Sequence, residues 1–232
     1  LDVNGGSALE KTTVSVKSGD QIDPANYVTT KTNYVLAGWS DGETVHATDA
    51  KITVTSNVTL TAVWNLATTD ESVFTVEDVE GGVCVGLVKD CELTTIIVPK
   101  QIGGKNVVKI GMRGFSYNDK IEEVYLDAAT EIVEIESNAF SGSKNLRFVS
   151  LNGLSKLTKL GDSVFYGIYD NTTFKGASLQ TVDFSGCTAL TTIGQMAFAY
   201  QYTLQNIDLS ECTSLTSIGR NAFDYCIVLE SV

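Results

Sequence analysis

The chain has 232 residues, with 16 lysine and arginine residues against 28 aspartate and glutamate residues and a formal net charge of −12 at pH 7. This length allows one to two compact domains, and 43% hydrophobic residues with only 19% charged residues exclude a disordered chain. The acidic charge disfavours nucleic acid and anionic membranes as partners, and no run of the sequence reaches the roughly 18 apolar residues of a membrane-spanning helix.

The N-terminal part of the chain, 1–65, has the pattern of a small β-rich module. Apolar and polar residues alternate at 14–16, 34–36, 52–54 and 58–64, which predicts short, half-buried strands. Asn4-Gly5-Gly6, Gly19-Asp20, Gly38-Trp39 and the closing residues 60–64 resemble the Listeria-Bacteroides repeat, also called the internalin B-type repeat. The resemblance implies a β-grasp-like module of the kind strung along secreted surface proteins.

A polar stretch follows this module. Residues 65–72 read Asn-Leu-Ala-Thr-Thr-Asp-Glu-Ser. Exposed polar segments of this kind are usual domain boundaries. We therefore predict a module at 1–65, a linker at 66–72 and a second domain at 73–232.

A phenylalanine preceded by a small residue recurs with a constant period in the second domain. Phe115, Phe140 and Phe165 are spaced by 25, and so are Phe198 and Phe223. The interval between Phe165 and Phe198 is longer, at 198 − 165 = 33, which places an insertion around 167–176. We expect each Ala-Phe pair to lie on a short helical turn and the rings to form a ladder through the core.

A second motif, LxxLxLxxCxxL, accompanies each phenylalanine. It is complete at residues 179–190 and 204–215, and earlier copies keep its apolar positions. The central alternation predicts a short strand whose inward side chains stack on their equivalents one repeat away. No repeat can bury this row alone, so the motif predicts a stacked array.

The combined pattern IGxxAFxxCxxLxxIxLxxCxxL resembles the BspA-like leucine-rich repeat family of bacterial and some protozoan cell-surface proteins, over residues 70–232. The resemblance implies a right-handed solenoid, mainly β with short helical turns, in which 73–111 form an irregular first repeat and hairpin cap. Residues 229–232 begin another strand motif, so we expect the parent chain to continue. We also expect export, with the signal and the anchor outside this stretch.

Few residues suit catalysis or metal binding. The only histidine is His46, which excludes two-histidine sites and is interpreted as a solvated surface residue. Cys187 and Cys212 share a repeat position and are interpreted as buried small residues, with a disulfide as the alternative. Cys84 and Cys91 flank a predicted hairpin and could pair. Neighbouring carboxylates along the predicted strands are typical of a solvated acidic face rather than of a glycosidase. We expect no catalytic residue, no metal and no cofactor.

The outward positions of the repeat strands and the inserted loop are the candidate ligand contacts. Exposed aromatic rings on a rigid scaffold supply contact area at low entropic cost, and loops that project from a solenoid often carry recognition. The candidate contacts are Tyr125, Phe148, Tyr166, Tyr169, Phe174, Asp183 and Asp208.

The family resemblance implies adhesion by non-catalytic binding to host or microbial surface proteins. Glycan binding by the aromatic positions is an alternative, and so is a purely structural role as a spacer. We expect extracellular or cell-surface proteins, and on the second reading glycans, as partners of a monomeric chain. We expect neither nucleic-acid binding nor direct membrane insertion.

Overall fold

The structure is a computed structural model of the 232-residue chain, and it describes residues 1–10, 12–31, 34–168 and 178–232. The chain forms two compact units, Leu1–Ala67 and Thr68–Val232. The described residues form β-strands and turns, with two short 3-10 turns at Pro24–Asn26 and Glu71–Val73. The mainly β class is therefore as predicted. In the described part of the chain, no helix has the length and apolar character needed to cross a membrane.

The first unit has two small antiparallel sheets. Its strands are β1 (Gln21–Ile22), β2 (Tyr34–Ser40), β3 (Val45–Ala47), β4 (Ile52–Thr53) and β5 (Thr61–Leu66). β1 pairs with β4, and the second sheet has the order β3-β2-β5. Trp39, 1% exposed, lies at the centre of the core with Ile22, Ile52, Leu60 and Ala62.

Three of the four strands predicted in this unit overlap β2, β4 and β5, and the fourth is wrong. Residues 14–16 form no strand. Val14 and Val16 are both more than one-third exposed and have no sheet partner. Alternation produces a strand only where a neighbouring backbone supplies hydrogen bonds. The β-grasp-like topology of this unit stays a prediction.

The second unit begins with two hairpins. β6 (Phe74–Val79) pairs antiparallel with β7 (Gly82–Leu87), and β9 (Gln101–Ile102) pairs antiparallel with β10 (Lys105–Ile110). Upstream of β6, Thr69 N donates to Ile97 O at 2.9 Å, while Leu66 still belongs to β5 of the first unit. The predicted division at 1–65, 66–72 and 73–232 itself stays a prediction.

Beyond the hairpins the chain winds into a solenoid with two sheets, in which successive coils pair in parallel. The first, here called the long sheet, has the order β17-β16-β14-β12-β10-β7-β6, where β12 is Glu134–Ile135, β14 is Lys159–Leu160, β16 is Thr192–Ile193 and β17 is Ser217–Ile218. The second, here called the short sheet, has the order β15-β13-β11-β8, where β8 is Thr95–Ile97, β11 is Glu123–Tyr125, β13 is Phe148–Ser150 and β15 is Thr181–Asp183. Each repeat forms one coil of the solenoid.

The core of the solenoid lies between the two sheets and contains the predicted phenylalanine ladder. Ring centroids are 5.1 Å apart for Phe115 and Phe140 and for Phe140 and Phe165. They are 5.2 Å apart for Phe165 and Phe198 and for Phe198 and Phe223. The strands bury one valine from each coil beside the ladder: Val124, Val149 and Val182.

The Ala-Phe pairs lie on turns, and the predicted helical turns are wrong. Phe140 N donates to Val164 O in the next coil at 2.8 Å, and Ala139 N closes a tight turn on Glu136 O at 3.2 Å. These N–H groups bond to the next coil or close a tight turn. They therefore cannot form the hydrogen bonds of an α-helix, which join each N–H to the carbonyl four residues earlier. The residue two before each phenylalanine has positive φ: Arg113, Asn138, Ser163, Met196 and Asn221.

The glycine of the Ile-Gly motif permits close stacking of the coils. A Cβ atom on Gly194 would lie 2.5 Å from the carbonyl carbon of Gly161, its equivalent one coil earlier. By contrast, the nearest atom to a Cβ on Gly111, at the cap, would be the Cys84 sulfur at 3.0 Å. Backbone atoms cannot move aside as a side chain can, so the later junctions, at Gly161, Gly194 and Gly219, require glycine, whereas Glu136 holds the equivalent position next to the cap.

Lysine and glutamate alternate across the long sheet. Lys109 on β10 and Lys159 on β14 each lie 2.9 Å from a carboxylate oxygen of Glu134 on β12, which sits between them. The side chains are 23% to 52% exposed, so each pair contributes little free energy of unfolding. Opposite charges on neighbouring strands nevertheless favour this order of coils over one that places like charges together.

Candidate functional site

The predicted contacts Tyr125 and Phe148 lie side by side on the outer face of the short sheet. The parallel register pairs Glu123 with Phe148 and Tyr125 with Ser150. The two rings are 5.4 Å apart between centroids, at an interplanar angle of 53°. Both are half-buried rather than fully exposed, since each ring covers part of the other. They form a small aromatic platform with a defined geometry.

Charged side chains surround this platform. Arg147 forms ion pairs with Glu122 and Glu123 on the preceding coil. The Tyr125 hydroxyl donates to a Glu123 carboxylate oxygen at 3.0 Å. The platform therefore has both polar donors and acceptors at its edge.

The short sheet ends at β15, and the next coil does not continue it. Asp183 lies on β15, whereas Asp208 lies in the following segment, 204–209, which forms no ladder with β15 in the described chain. Among the described residues this segment pairs with the chain that follows it, through the bridge between Asn206 and Ser231. The predicted columns of outward residues hold from β11 to β15, and their extension to Asp208 across a continuous sheet is wrong.

Two large side chains account for the break. Phe184 occupies the position of Leu151, and its ring packs against Phe198 at 6.4 Å between centroids. Tyr202, only 4% exposed, occupies the position of the exposed Lys144 in an earlier coil. Rings of this size need more space between coils than the residues they replace, and the coils separate on this side.

A cleft of about 800 Å³ fills the gap, and we refer to it as the cleft. On the opposite side of the solenoid the coils stay paired, because Gly219 N donates to Ile193 O at 2.7 Å and Thr216 N to Thr191 O at 3.0 Å. The opening is therefore confined to the short sheet. The lining includes three predicted contacts, two large rings and one further acid: Phe148, Asp183, Asp208, Phe184, Tyr202 and Glu211.

The electrostatic character of the cleft is acidic. Asp183, Asp208 and Glu211 line it, and none of the described lining residues is lysine, arginine or histidine. Hydrogen bonds from the hydroxyl and the backbone N–H of Ser210 hold the pKa of Asp208 below its ordinary value. The acidic lining of the cleft favours a cationic ligand.

A column of tyrosines on another edge of the solenoid was missed in the sequence interpretation, apart from Tyr166. The rings of Tyr166 and Tyr200 are 5.2 Å apart, and those of Tyr200 and Tyr225 are 5.0 Å apart and nearly parallel. Burial raises the pKa of Tyr166. Tyr117, 73% exposed, belongs to the same edge. The sequence did contain a signal for this column, because Tyr117, Tyr200 and Tyr225 each stand two positions after a ladder phenylalanine.

The predicted contacts Tyr169 and Phe174, on the inserted loop, lie outside the described residues.

The cysteines are free and at least half-buried. Neither Cys84 and Cys91 nor Cys187 and Cys212 form a disulfide. Cys187 Sγ lies 3.3 Å from Leu151 O, to which it donates, and burial raises its pKa to about 12. Burial likewise raises the pKa of Cys84 and of Cys226 to about 11. These thiols are protonated at neutral pH, and the interpretation as buried small residues fits them.

His46 is not the solvated residue that the sequence suggested. It lies on β3, its side chain is 23% exposed, and its Nε2 is 2.7 Å from Asp41 Oδ2. Hydrogen bonds from the backbone N–H of Thr44, from His46 and from the backbone N–H of Glu43 lower the pKa of Asp41. The pair closes the turn between β2 and β3. Across the described chain, no three histidine, cysteine, aspartate or glutamate side chains are placed to hold a metal ion.

Six copies of the BspA type leucine rich repeat match the chain, over residues 87–170 and 168–232. The chain belongs to the BspA-type leucine-rich repeat family. Residues 2–63 match the Listeria-Bacteroides repeat domain, so both resemblances noted from sequence motifs are confirmed. Proteins of the BspA type are generally surface proteins, and leucine-rich repeat proteins generally bind other proteins.

Solved leucine-rich repeat proteins align with the chain at low identity. The leucine-rich repeat protein of Treponema pallidum is 20% identical, with a TM-score of 0.37, over 71% of this chain and 70% of that one. A leucine-rich repeat protein from Bacteroides ovatus is 20% identical, with a TM-score of 0.35, over 68% of this chain and 51% of that one. The pneumococcal vaccine antigen PcpA is 19% identical, with a TM-score of 0.39, over 66% of this chain and 45% of that one. No curated protein matches the chain significantly.

Proposed function

We propose that this chain is a non-catalytic adhesion module of an exported bacterial surface protein, and that it attaches to a protein on a host or microbial surface. Its binding surface is the outer face of the short sheet, from the Tyr125 and Phe148 platform to the cleft. The observation that carries the proposal is the cleft itself. Its volume of about 800 Å³ falls in the range of roughly 300 to 1,000 Å³ that is usual for ligand sites.

The composition of this surface supports protein recognition. Aromatic rings are enriched at the centre of protein interfaces, and a rim of charged residues gives specificity and a fast association rate. Phe148 borders both the platform and the cleft, so it is the residue whose loss should weaken binding most. Arg147, Glu122 and Glu123 supply the polar rim.

The test is binding of the purified chain to a panel of immobilised extracellular-matrix proteins and glycans at physiological salt. We expect saturable binding to a protein, lost on unfolding and weakened about tenfold or more by Phe148→Ala, as for a central interface residue. Val76→Ala, a truncation of an exposed apolar residue on β6, is the matched control and should bind as the parent does.

Other outcomes would replace the proposal. Binding confined to glycans and sensitive to Phe148→Ala would assign the platform to sugar recognition. Absence of binding across the panel would favour a spacer that projects another part of the parent protein.

A further inference from the structure

At the cleft, backbone hydrogen bonds that every earlier junction of the short sheet makes are not formed between the described coils. Between the two preceding coils, Gln180 N donates to Arg147 O at 2.9 Å and Leu151 N donates to Asp183 O at 2.8 Å. The equivalent bonds at the cleft would join Gln205 N to Gln180 O and Phe184 N to Asp208 O. Neither bond forms in the described chain. Each wall of the cleft therefore offers one donor and one acceptor in the arrangement of a sheet edge.

A side chain already takes the place of one missing acceptor. In the preceding coil Gly153 N donates to Ser185 O at 2.8 Å. At the cleft, Gly186 N donates instead to the Glu211 carboxylate, at 2.6 Å. Gly186, three residues beyond β15, thus binds an acceptor where a neighbouring strand is absent, and at the other end of the cleft Thr203 Oγ1 donates to Leu179 O at 2.9 Å. Unpaired edges of this kind are templates for the addition of a strand.

We propose that the cleft binds an extended peptide segment of a partner protein, with alternating apolar and basic residues, as a strand between β15 and residues 204–209. This inference rests on the proposed function, because it names the partner chemistry for the same surface. In this binding mode, main-chain hydrogen bonds supply affinity and alternate side chains supply specificity.

The lining accounts for the side chains that such a peptide would carry. Successive side chains of a strand point to opposite faces, so one set enters the cleft and the other faces outward. Phe184 and Tyr202, both nearly fully buried, give the cleft an apolar interior, whereas Asp183 and Asp208 lie at its outer margin with Phe148 and Glu211. Apolar residues fit the first environment and lysine or arginine the second, where they would meet carboxylates and, among the described lining residues, no cation.

The test uses the full chain and a fluorescently labelled heptapeptide of alternating valine and lysine. Its two controls are the same peptide N-methylated at alternate backbone nitrogens and a peptide of alternating valine and glutamate. We expect saturable binding of the first peptide by fluorescence anisotropy. N-methylation should weaken it about tenfold or more, since it removes hydrogen bonds to the strand edges. The glutamate peptide should not bind.

Protein variants and amide exchange locate the peptide. Asp183→Asn combined with Asp208→Asn should weaken the lysine peptide, while Glu80→Gln, an exposed acid on the β6–β7 turn, should leave it unchanged. On binding, amide exchange at Phe184 and Gln205 should slow. Exchange at Gly219, which is bonded within the long sheet, should not change. Circular dichroism of each variant checks that it is folded.

Equal binding of the N-methylated and parent peptides would overturn strand addition, and equal binding of the glutamate peptide would overturn the basic partner. Self-association in sedimentation, with slowed exchange at Phe184 and no peptide present, would assign the cleft to a second copy of this chain. Binding of a whole protein that depends on Phe148 but not on either cleft aspartate, with no peptide binding, would refute this inference alone. Absence of both kinds of binding would refute the proposed function as well.

Discussion

The three inner ladder phenylalanines, Phe140, Phe165 and Phe198, combine nearly complete burial with ring contacts on both sides. Phe198 is 0% exposed and stacks between Phe165 and Phe223 at 5.2 Å from each. A ring in this position contributes through dispersion contacts in two coils as well as through its own removal from water. The stacking of Phe198 in the ladder could be predicted, because the constant spacing of the phenylalanines places equivalent side chains in register.

Phe198→Ala should lower the free energy of unfolding by about 3 to 5 kcal/mol, because it leaves a cavity between two rings. Urea denaturation followed by far-ultraviolet circular dichroism measures the change. Tyr225→Ala, which truncates a ring that is 50% exposed, is the control and should cost much less. A loss below about 1 kcal/mol for Phe198→Ala would show that the ladder does not support the core.

Cysteine reactivity should report burial directly. With the pKa of Cys187 near 12 and those of Cys84 and Cys226 near 11, the thiolate fraction at pH 8 is very small. We expect slow reaction of the native chain with a thiol reagent at pH 8, and fast reaction of all five cysteines after unfolding in guanidinium. Fast labelling of Cys187 in the native state, located by mass spectrometry, would contradict this burial.

At the scale of the element, glycine at the later junctions of coils, Gly161, Gly194 and Gly219, is a packing requirement. Gly194→Ala should destabilise the chain by about 1 to 3 kcal/mol, because the added methyl group meets backbone atoms that cannot move aside. Gly111→Ala is the matched control, since its methyl group would meet a side-chain sulfur at 3.0 Å rather than a carbonyl carbon at 2.5 Å. Thermal unfolding measures the stability of the two variants. An equal loss of stability in both would argue against the stacking explanation.

The strands and their register could be predicted from the sequence, whereas the turns and the break could not. The alternation at residues 121–126, 146–151 and 179–184 defines which side chains point outward, and the paired strands agree. Helical turns were expected at the Ala-Phe pairs, but the amides there bond to the next coil or close tight turns. The break depends on the volumes of Phe184 and Tyr202 in three dimensions, which a repeat pattern does not contain.

The sequence predicted only some residues of the candidate site, because a repeat pattern does not show where the sheet opens. Phe148, Asp183 and Asp208 were selected as outward residues, and they border one cleft. The pattern treats all outward columns as equivalent, so it gave no reason to prefer the last junction. Glu211 and Tyr202 could not be selected from their spacing, because their roles arise only where the sheet opens.

At the scale of the whole molecule, each unit has its own hydrophobic core. Both tryptophans, Trp39 and Trp64, belong to the first unit, and the phenylalanine ladder belongs to the second. Tryptophan fluorescence therefore reports unfolding of the first unit alone. Far-ultraviolet circular dichroism is dominated by the larger second unit.

We expect the two signals to give separate transitions in urea, because two cores of different size have different stabilities. Phe198→Ala should shift the circular dichroism transition and leave the fluorescence transition in place. If the fluorescence and circular dichroism transitions of the parent chain coincide, and shift together in Phe198→Ala, the chain unfolds as one cooperative unit.

The alternating charges on the long sheet constrain how many repeats the solenoid can gain or lose at one time. Lys109, Glu134 and Lys159 occupy successive coils. Unequal recombination that removed the middle coil would bring two lysines onto adjacent strands, where like charges repel. Loss of the coils of β12 and β14 together would instead place Lys109 beside the uncharged Thr192 of β16. In this part of the solenoid, the gene should therefore tolerate gain or loss of repeats more readily in pairs than singly.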